Sequence, residues 1–377
     1  MSRTRDQDAC PGALQVHQAA DGALVRVRLP GGYLEAAALE TLAHLANECG
    51  NGALELTSRG SVQIRAVTDT ARVADAIAGA GLLPAPTHER VRNIVSSPLS
   101  GRSGGLADVR EWVRELDAAL QADAALSQLP GRFWISIDDG RGDVSGLHTD
   151  VGLQVTDDGV ALLLAGSDTG VRLSPDGAIP TVIEIASRFQ RDRGKRWRVA
   201  ELDDTSALTA GYQVSVPPGQ RLLVGDTTRG PVGWIEQTGA DPRVTLAAVV
   251  PLGVLPARTA EFVAAISAPL VVTPWRSILV CDLREEVADT ALRVLAPLGL
   301  VFDEASPWLT VSACAGSPGC ERARTDVRAD ALAAGNSGPA APSSAHRHFV
   351  GCERGCGAPA GAQVLVASAD GYRPRHT

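Results

Sequence analysis

Apolar and polar positions follow two rhythms along this chain, and the rhythms recur in the same order twice. An apolar-rich stretch at 23–29 predicts a strand, Pro30-Gly31-Gly32 a turn, and 34–48 a helix. That helix places Leu34, Ala37, Ala38, Leu42, Leu45 and Ala46 on one face at a spacing near 3.6. Two short strands at 53–57 and 62–67 and a helix at about 70–80 follow. The order returns late in the chain: a strand in VTLAAVVPLG (244–253), a helix at 256–266, strands in LVVTP (270–274) and SILVCDL (277–283), and a helix at 285–295. Local details recur too. RLPGGYLEAAALETLA matches VPLGVLPARTAEFVA, and ELTSRGSVQIRAV matches VVTPWRSILVCDL.

The repeat predicts an α+β protein built on a duplicated ferredoxin-like βαββα unit. Between the copies the pattern predicts a helix at 106–121, strands from 133 to 173, a helix at 179–191 and further strands to 234. After the second copy come a strand, a helix at 321–334 and a polar Pro/Ser/Gly-rich loop, GNSGPAAPSSAH (335–346), expected to be mobile. The expected plan is pseudo-twofold. Ferredoxin-like units at 10–85 and 211–295 are each followed by an α/β unit, at 86–210 and 296–377.

Length and composition narrow the function. A chain of 377 residues has room for at least two cores. A net charge of −8 argues against holding nucleic acid by general electrostatics, and no apolar run is long enough to span a membrane. Lys195 is the only lysine, so buried anion sites must rely on guanidinium forks, which suit carboxylates.

Chemistry concentrates in four cysteines near the end, Cys314-x5-Cys320 and Cys352-x3-Cys356, set among glycines in SACAGSPGCERA and FVGCERGCGAP. Two close thiolate pairs on separate loops can hold a [4Fe–4S] cube, with small residues letting the backbone wrap it. Structural zinc also takes four cysteines, but its usual spacing is tighter. Disulfides would need an oxidising compartment, and the start MSRTRDQDACPGALQ has no apolar export segment, which points to the cytoplasm. Cys49 and Cys281, at the ends of a helix and a strand, read as buried small hydrophobes. Cys10 suggests no mechanism.

With LTSRGSVQIR (56–65) and VRNIVSSP (91–98), these cysteines give the chain a resemblance to the sulfite/nitrite reductase superfamily. The resemblance implies a [4Fe–4S] cluster on Cys314, Cys320, Cys352 and Cys356. It also implies a tetrapyrrole cleft whose carboxylates meet Arg59, Arg65, Arg92 and Arg132. In the reductases that cleft holds siroheme, which stays open here, and two lysines one residue apart feed protons to the substrate. LPGRFWISI (129–137) offers Arg132 and Trp134 instead, and neither side chain donates protons at neutral pH. That departure is similar to an oxygen-dependent branch of the superfamily in aerobic cobalamin biosynthesis. The branch implies precorrin-3A and dioxygen as substrates, hydroxylation at C20 with closure of a γ-lactone, and a non-haem iron as a further centre.

Three readings therefore stand side by side: this tetrapyrrole monooxygenase, a siroheme-dependent sulfite or nitrite reductase, and a non-catalytic electron carrier. No Gly-rich dinucleotide fingerprint is present, so electrons are expected from an external reductase or ferredoxin. His346 and His348 share one face of an extended stretch before Cys352, as iron ligands, acid–base groups or a plain strand pair. DDGRGD (138–143) reads as a turn.

Overall fold

The protein is described from a computed structural model over residues 8–239, 241–336, 345–359 and 361–375. Most of the 335–346 loop lies outside the described residues. In chain order the first elements are β1 (His17–Ala19), β2 (Gly22–Val27), β3 (Tyr33–Leu34), α1 (Ala36–Cys49), β4 (Ala53–Leu56), β5 (Val62–Val67) and α2 (Thr70–Gly79). The middle of the chain forms β6 (Ile94–Ser96), α3 (Arg110–Ala122), β7 (Ile135–Asp138), β8 (Val151–Thr156), β9 (Gly159–Leu164), β10 (Ser167–Leu173) and α4 (Pro175–Asp192). Then come β11 (Gly233–Glu236), β12 (Val244–Val249), β13 (Val254–Pro256), α5 (Ala257–Ala265), β14 (Leu270–Val272), β15 (Ser277–Leu283) and α6 (Glu285–Leu295). The last elements are β16 (Val311–Ala313), α7 (Val327–Asn336), β17 (Arg347–Val350), β18 (Gln363–Ser368) and β19 (Gly371–Pro374).

These elements gather into two compact units. One comprises Arg28–Gly32, Leu83–Thr227 and the described residues before Ala13; the other comprises Ala13–Val27, Tyr33–Leu82 and the described residues from Thr228 on. The second unit holds both stretches expected to be ferredoxin-like, in sheets ordered β1-β2-β5-β4-β13 and β11-β12-β15-β14-β3. Each sheet is completed by a short strand from the other stretch. Leu34 pairs with Leu270 on β14, and Leu255 pairs with Leu54 on β4. Helix α1 buries Leu39, Leu42, Ala43, Leu45 and Ala46 and packs against α5, each leucine worth roughly 1.5–3 kcal/mol of burial.

The turns repeat as well. Thr57 Oγ1 accepts the N–H groups of Arg59 and Ser61, and Thr273 Oγ1 those of Trp275 and Ser277. In each turn the residue before the serine is left-handed, Gly60 at φ 62° and Arg276 at φ 58°.

The other two sheets share a plan. Strands β6, β7 and β8 run parallel and continue antiparallel through β9 and β10; β16, β17 and β18 run parallel and continue antiparallel through β19. Three helix boundaries differ from expectation. α3 starts at Arg110, because Leu106 is held by the Asp139 carbonyl. α4 starts at Pro175, where Ser174 caps the Gly177 N–H, and Pro180 is accommodated within its length. α7 starts only at Val327, because the N–H groups of Ala323 and Arg324 go to the carbonyls of Cys320 and Gly351.

Candidate functional site

Both cysteine pairs leave the same edge of the last sheet. β16 and β17 are parallel neighbours with Ala313 opposite Phe349, so Cys314 and the Gly351-Cys352 step follow adjacent C-terminal strand ends. Loops at such ends gather where α/β sheets commonly hold ligands. The Cys314 N–H donates to the Phe349 carbonyl at 2.9 Å, extending the pairing to the cysteine itself. Cys314 packs against an apolar cluster of Val311, Ala313, Val327, Ala331 and Phe349. The loops need glycine, since Gly316, Gly355 and Gly357 sit at φ 67°, 62° and 78°.

The four thiols lie close enough to feel one another's charge. Burial raises the Cys356 thiol above its ordinary value, and the charges of Cys314, Cys352 and Cys320 add to the rise, against Arg354. Four cysteines, two on each of two glycine-bearing loops at adjacent strand ends, are a donor set that fits a [4Fe–4S] cube, whose thiolate contacts lie at four corners. The Gly351 N–H lies 3.5 Å from Cys314 Sγ and points at that sulfur, as backbone donors do toward cluster sulfurs. All seven cysteines are free thiols; Cys49 and Cys281 are buried, as expected of small hydrophobes.

A neutral hydrogen-bonded chain supports the second pair. The Cys356 carbonyl can only accept, so His348 Nε2 carries the proton in their 3.0 Å bond. His348 Nδ1 then accepts from Ser312 Oγ at 2.8 Å, and Ser312 Oγ accepts from His346 Nε2 at 2.7 Å. Burial, then the Arg276 charge, push His348 down to about 3 and His346 down to about 4. Both rings therefore face one serine, uncharged at neutral pH. The expected shared face is present, and these two rings are spent on each other's partner.

The four arginines divide. Arg65 Nε and Nη2 donate to Asp21 at 2.8 Å each, and Nη2 also donates to the Gly319 carbonyl at 2.6 Å. Burial opposes its charge, but the Asp21 hydrogen bond and the Glu55 and Asp21 charges hold Arg65 above its ordinary value. Arg92 is buried and forks Asp117 on α3 with two bonds of 2.7 Å, while Asn93 Nδ2 donates to the Arg90, Gly131 and Phe133 carbonyls. Both guanidiniums expected to fork substrate are thus committed to protein carboxylates. Arg59 is half-buried on the Thr57–Ser61 turn, and Arg132 is exposed with its guanidinium 5.9 Å from the Trp197 ring. Trp134 is buried beneath Arg198, 5.6 Å from ring to guanidinium, which suits packing rather than proton delivery.

One group escaped the sequence reading. DDGRGD does form a turn, but its Asp138 and Asp139 are fully buried. Asp138 accepts four backbone N–H groups, from Gly140, Gly142, Val144 and Ser145. Asp143 accepts from Ser97 Oγ at 2.6 Å, and burial, then the Asp138 charge, raise it to about 7. This cluster closes the C-terminal ends of β6 and β7, the edge that carries cysteines in the last sheet. Three acidic residues in a turn-forming run read as a plain turn, and only the fold buries them.

Comparison with known proteins agrees with this architecture. A family profile described as "Nitrite/Sulfite reductase ferredoxin-like half domain" matches residues 17–78. A precorrin-3B synthase from Sinorhizobium sp is 28% identical over 97% of this chain and 81% of its own length. A ferredoxin–nitrite reductase from Synechococcus elongatus is 31% identical over 31% of this chain and 25% of its own length. The solved structure of the Mycobacterium tuberculosis NirA protein superposes with a TM-score of 0.72 at 18% identity, over 89% of this chain and 69% of that one. The chain has the mixed α/β fold of these proteins and is similar to precorrin-3B synthase along nearly its whole length. Among the described residues no helix is long and apolar enough to cross a membrane.

Proposed function

We propose that this chain is an oxidoreductase of cobalamin biosynthesis that converts precorrin-3A to precorrin-3B with dioxygen. The observation that carries the proposal is the near full-length similarity to a precorrin-3B synthase. In the proposed reaction one oxygen atom becomes the C20 hydroxyl as the ring A acetate closes a γ-lactone. The other leaves as water, with two electrons and two protons from an external donor. A [4Fe–4S] cluster on Cys314, Cys320, Cys352 and Cys356 would pass those electrons singly. The chain is a duplicated, pseudo-twofold arrangement on this reading, which the matching turns at Thr57–Ser61 and Thr273–Ser277 support. Arg59 and Arg132, whose side chains reach solvent, are the guanidiniums proposed to meet substrate carboxylates. The absence of a lysine at positions 132 and 134 favours this reading over sulfite or nitrite reduction.

The test is protein purified without air from a host that makes siroheme, then given precorrin-3A, a reductant and isotope-labelled dioxygen. The expected result is broad sulfur-to-iron absorption without a Soret band, and one labelled oxygen in the product. A Soret band with coupled haem-type paramagnetic signals and no product would instead identify a siroheme reductase.

A further inference from the structure

One arginine from each ferredoxin-like sheet reaches a carbonyl beside a cluster cysteine. Arg65 on β5 donates from Nη2 to the Gly319 carbonyl at 2.6 Å, one residue before Cys320. Arg276, in the turn before β15, donates from Nη2 to the Gly357 carbonyl at 2.8 Å, one residue after Cys356. Glycine leaves room for each approach. A Cβ at position 319 would lie 2.8 Å from Arg65 Nη2, and one at position 357 would lie 3.1 Å from Arg276 Nη2.

Arg276 carries a second mark. It stands at φ 58°, where the matching turn places Gly60 at φ 62°, a conformation that an L-residue with a side chain adopts at a cost. The two clamps differ in charge. Arg65 is offset by its bidentate pair with Asp21, whereas no ion pair is found for Arg276 among the described residues, and the Glu55 charge acts on it against that of Arg328.

We propose that Arg65 and Arg276 are positioning residues for the cluster, fixing the two cysteine loops through their carbonyls and raising the reduction potential of the metal centre they hold. The proposal rests on the [4Fe–4S] reading given above. Fixing both loops sets the separation of Cys320 and Cys356. Positive charge near a cluster favours its reduced, more negative form.

The test is an EPR-monitored redox titration of anaerobically reconstituted protein, with iron release to a chelator followed in parallel. Arg65→Gln and Arg276→Gln should both lower the midpoint potential, Arg276→Gln by more because its charge is less offset. Both should release iron about tenfold faster, from the loss of one charge-assisted hydrogen bond. Arg276→Lys should recover most of the potential but not the slow release. Gly319→Ala keeps both charges and displaces the Arg65 contact, so it should release iron faster with a smaller change in potential. Glutamine variants with wild-type potential and wild-type release would overturn the clamps. Wild-type protein that takes up no iron would overturn the cluster reading itself, a separate result.

Discussion

At the scale of the residue, a guanidinium's role is decided by what it meets, and sequence does not reveal its partner. Arg59, Arg65, Arg92 and Arg132 looked alike in their segments, yet Arg65 and Arg92 are buried in bidentate carboxylate pairs. Removing one partner of such a pair leaves an uncompensated buried charge, at a cost of about 3–5 kcal/mol. Arg92→Ala is therefore expected to lower equilibrium stability in urea, whereas Arg59→Ala should leave stability near wild type and weaken tetrapyrrole binding. An Arg92→Ala protein as stable as wild type would contradict the assignment. Asp143 gives a pH prediction. Its folded pKa, about 7, lies above the ordinary 3.8, so between those values the folded state binds more protons than the unfolded state. Stability should then fall as pH rises from about 4 to about 7, and Asp143→Asn should flatten that slope in pH-dependent denaturation.

At the scale of the element, periodicity was legible wherever an element was long enough to show it. Val62–Val67, Ser277–Leu283 and Glu285–Leu295 end where the pattern predicted. β3 and β13 were not legible, because two or three residues cannot display an alternation, and their partners lie far away in sequence. The predicted α1 face included Leu34, which is a strand residue, and Ala37, which is exposed, while it omitted buried Leu39. The cysteine edge was legible as a pattern, since Cys-x5-Cys and Cys-x3-Cys carry their spacing in the sequence. Its support through Ser312, His346 and His348 required the register of β16 against β17. The exchanged strands carry a prediction of their own. Leu255, fully buried on β13, is contributed to the first sheet by the second stretch. Leu255→Ala should cost about 2–5 kcal/mol and lower amide-exchange protection in β4 and β5 as well as in β12 and β15. Loss of protection in one sheet alone would contradict this mutual completion.

At the scale of the whole molecule, the cysteine loops belong in one compact unit with the two sheets that exchange strands. Stripping iron from the loaded protein is expected to raise hydrogen exchange at 314–324 and 351–358 while leaving the Leu83–Thr227 unit unchanged. Equal loosening of both units would mean that the metal supports more than its own loops. The reciprocal strands also bear on how the chain is made. Leu34 cannot find Leu270 until most of the polypeptide has left the ribosome, on the order of tens of seconds after its own synthesis. Until Leu255 emerges to pair with Leu54, β4 likewise presents an unfilled edge, open to any passing strand. The first stretch is thus a nascent chain with an obligation to its own distant half, and a truncated product should fall to aggregation or proteolysis rather than persist as a small domain.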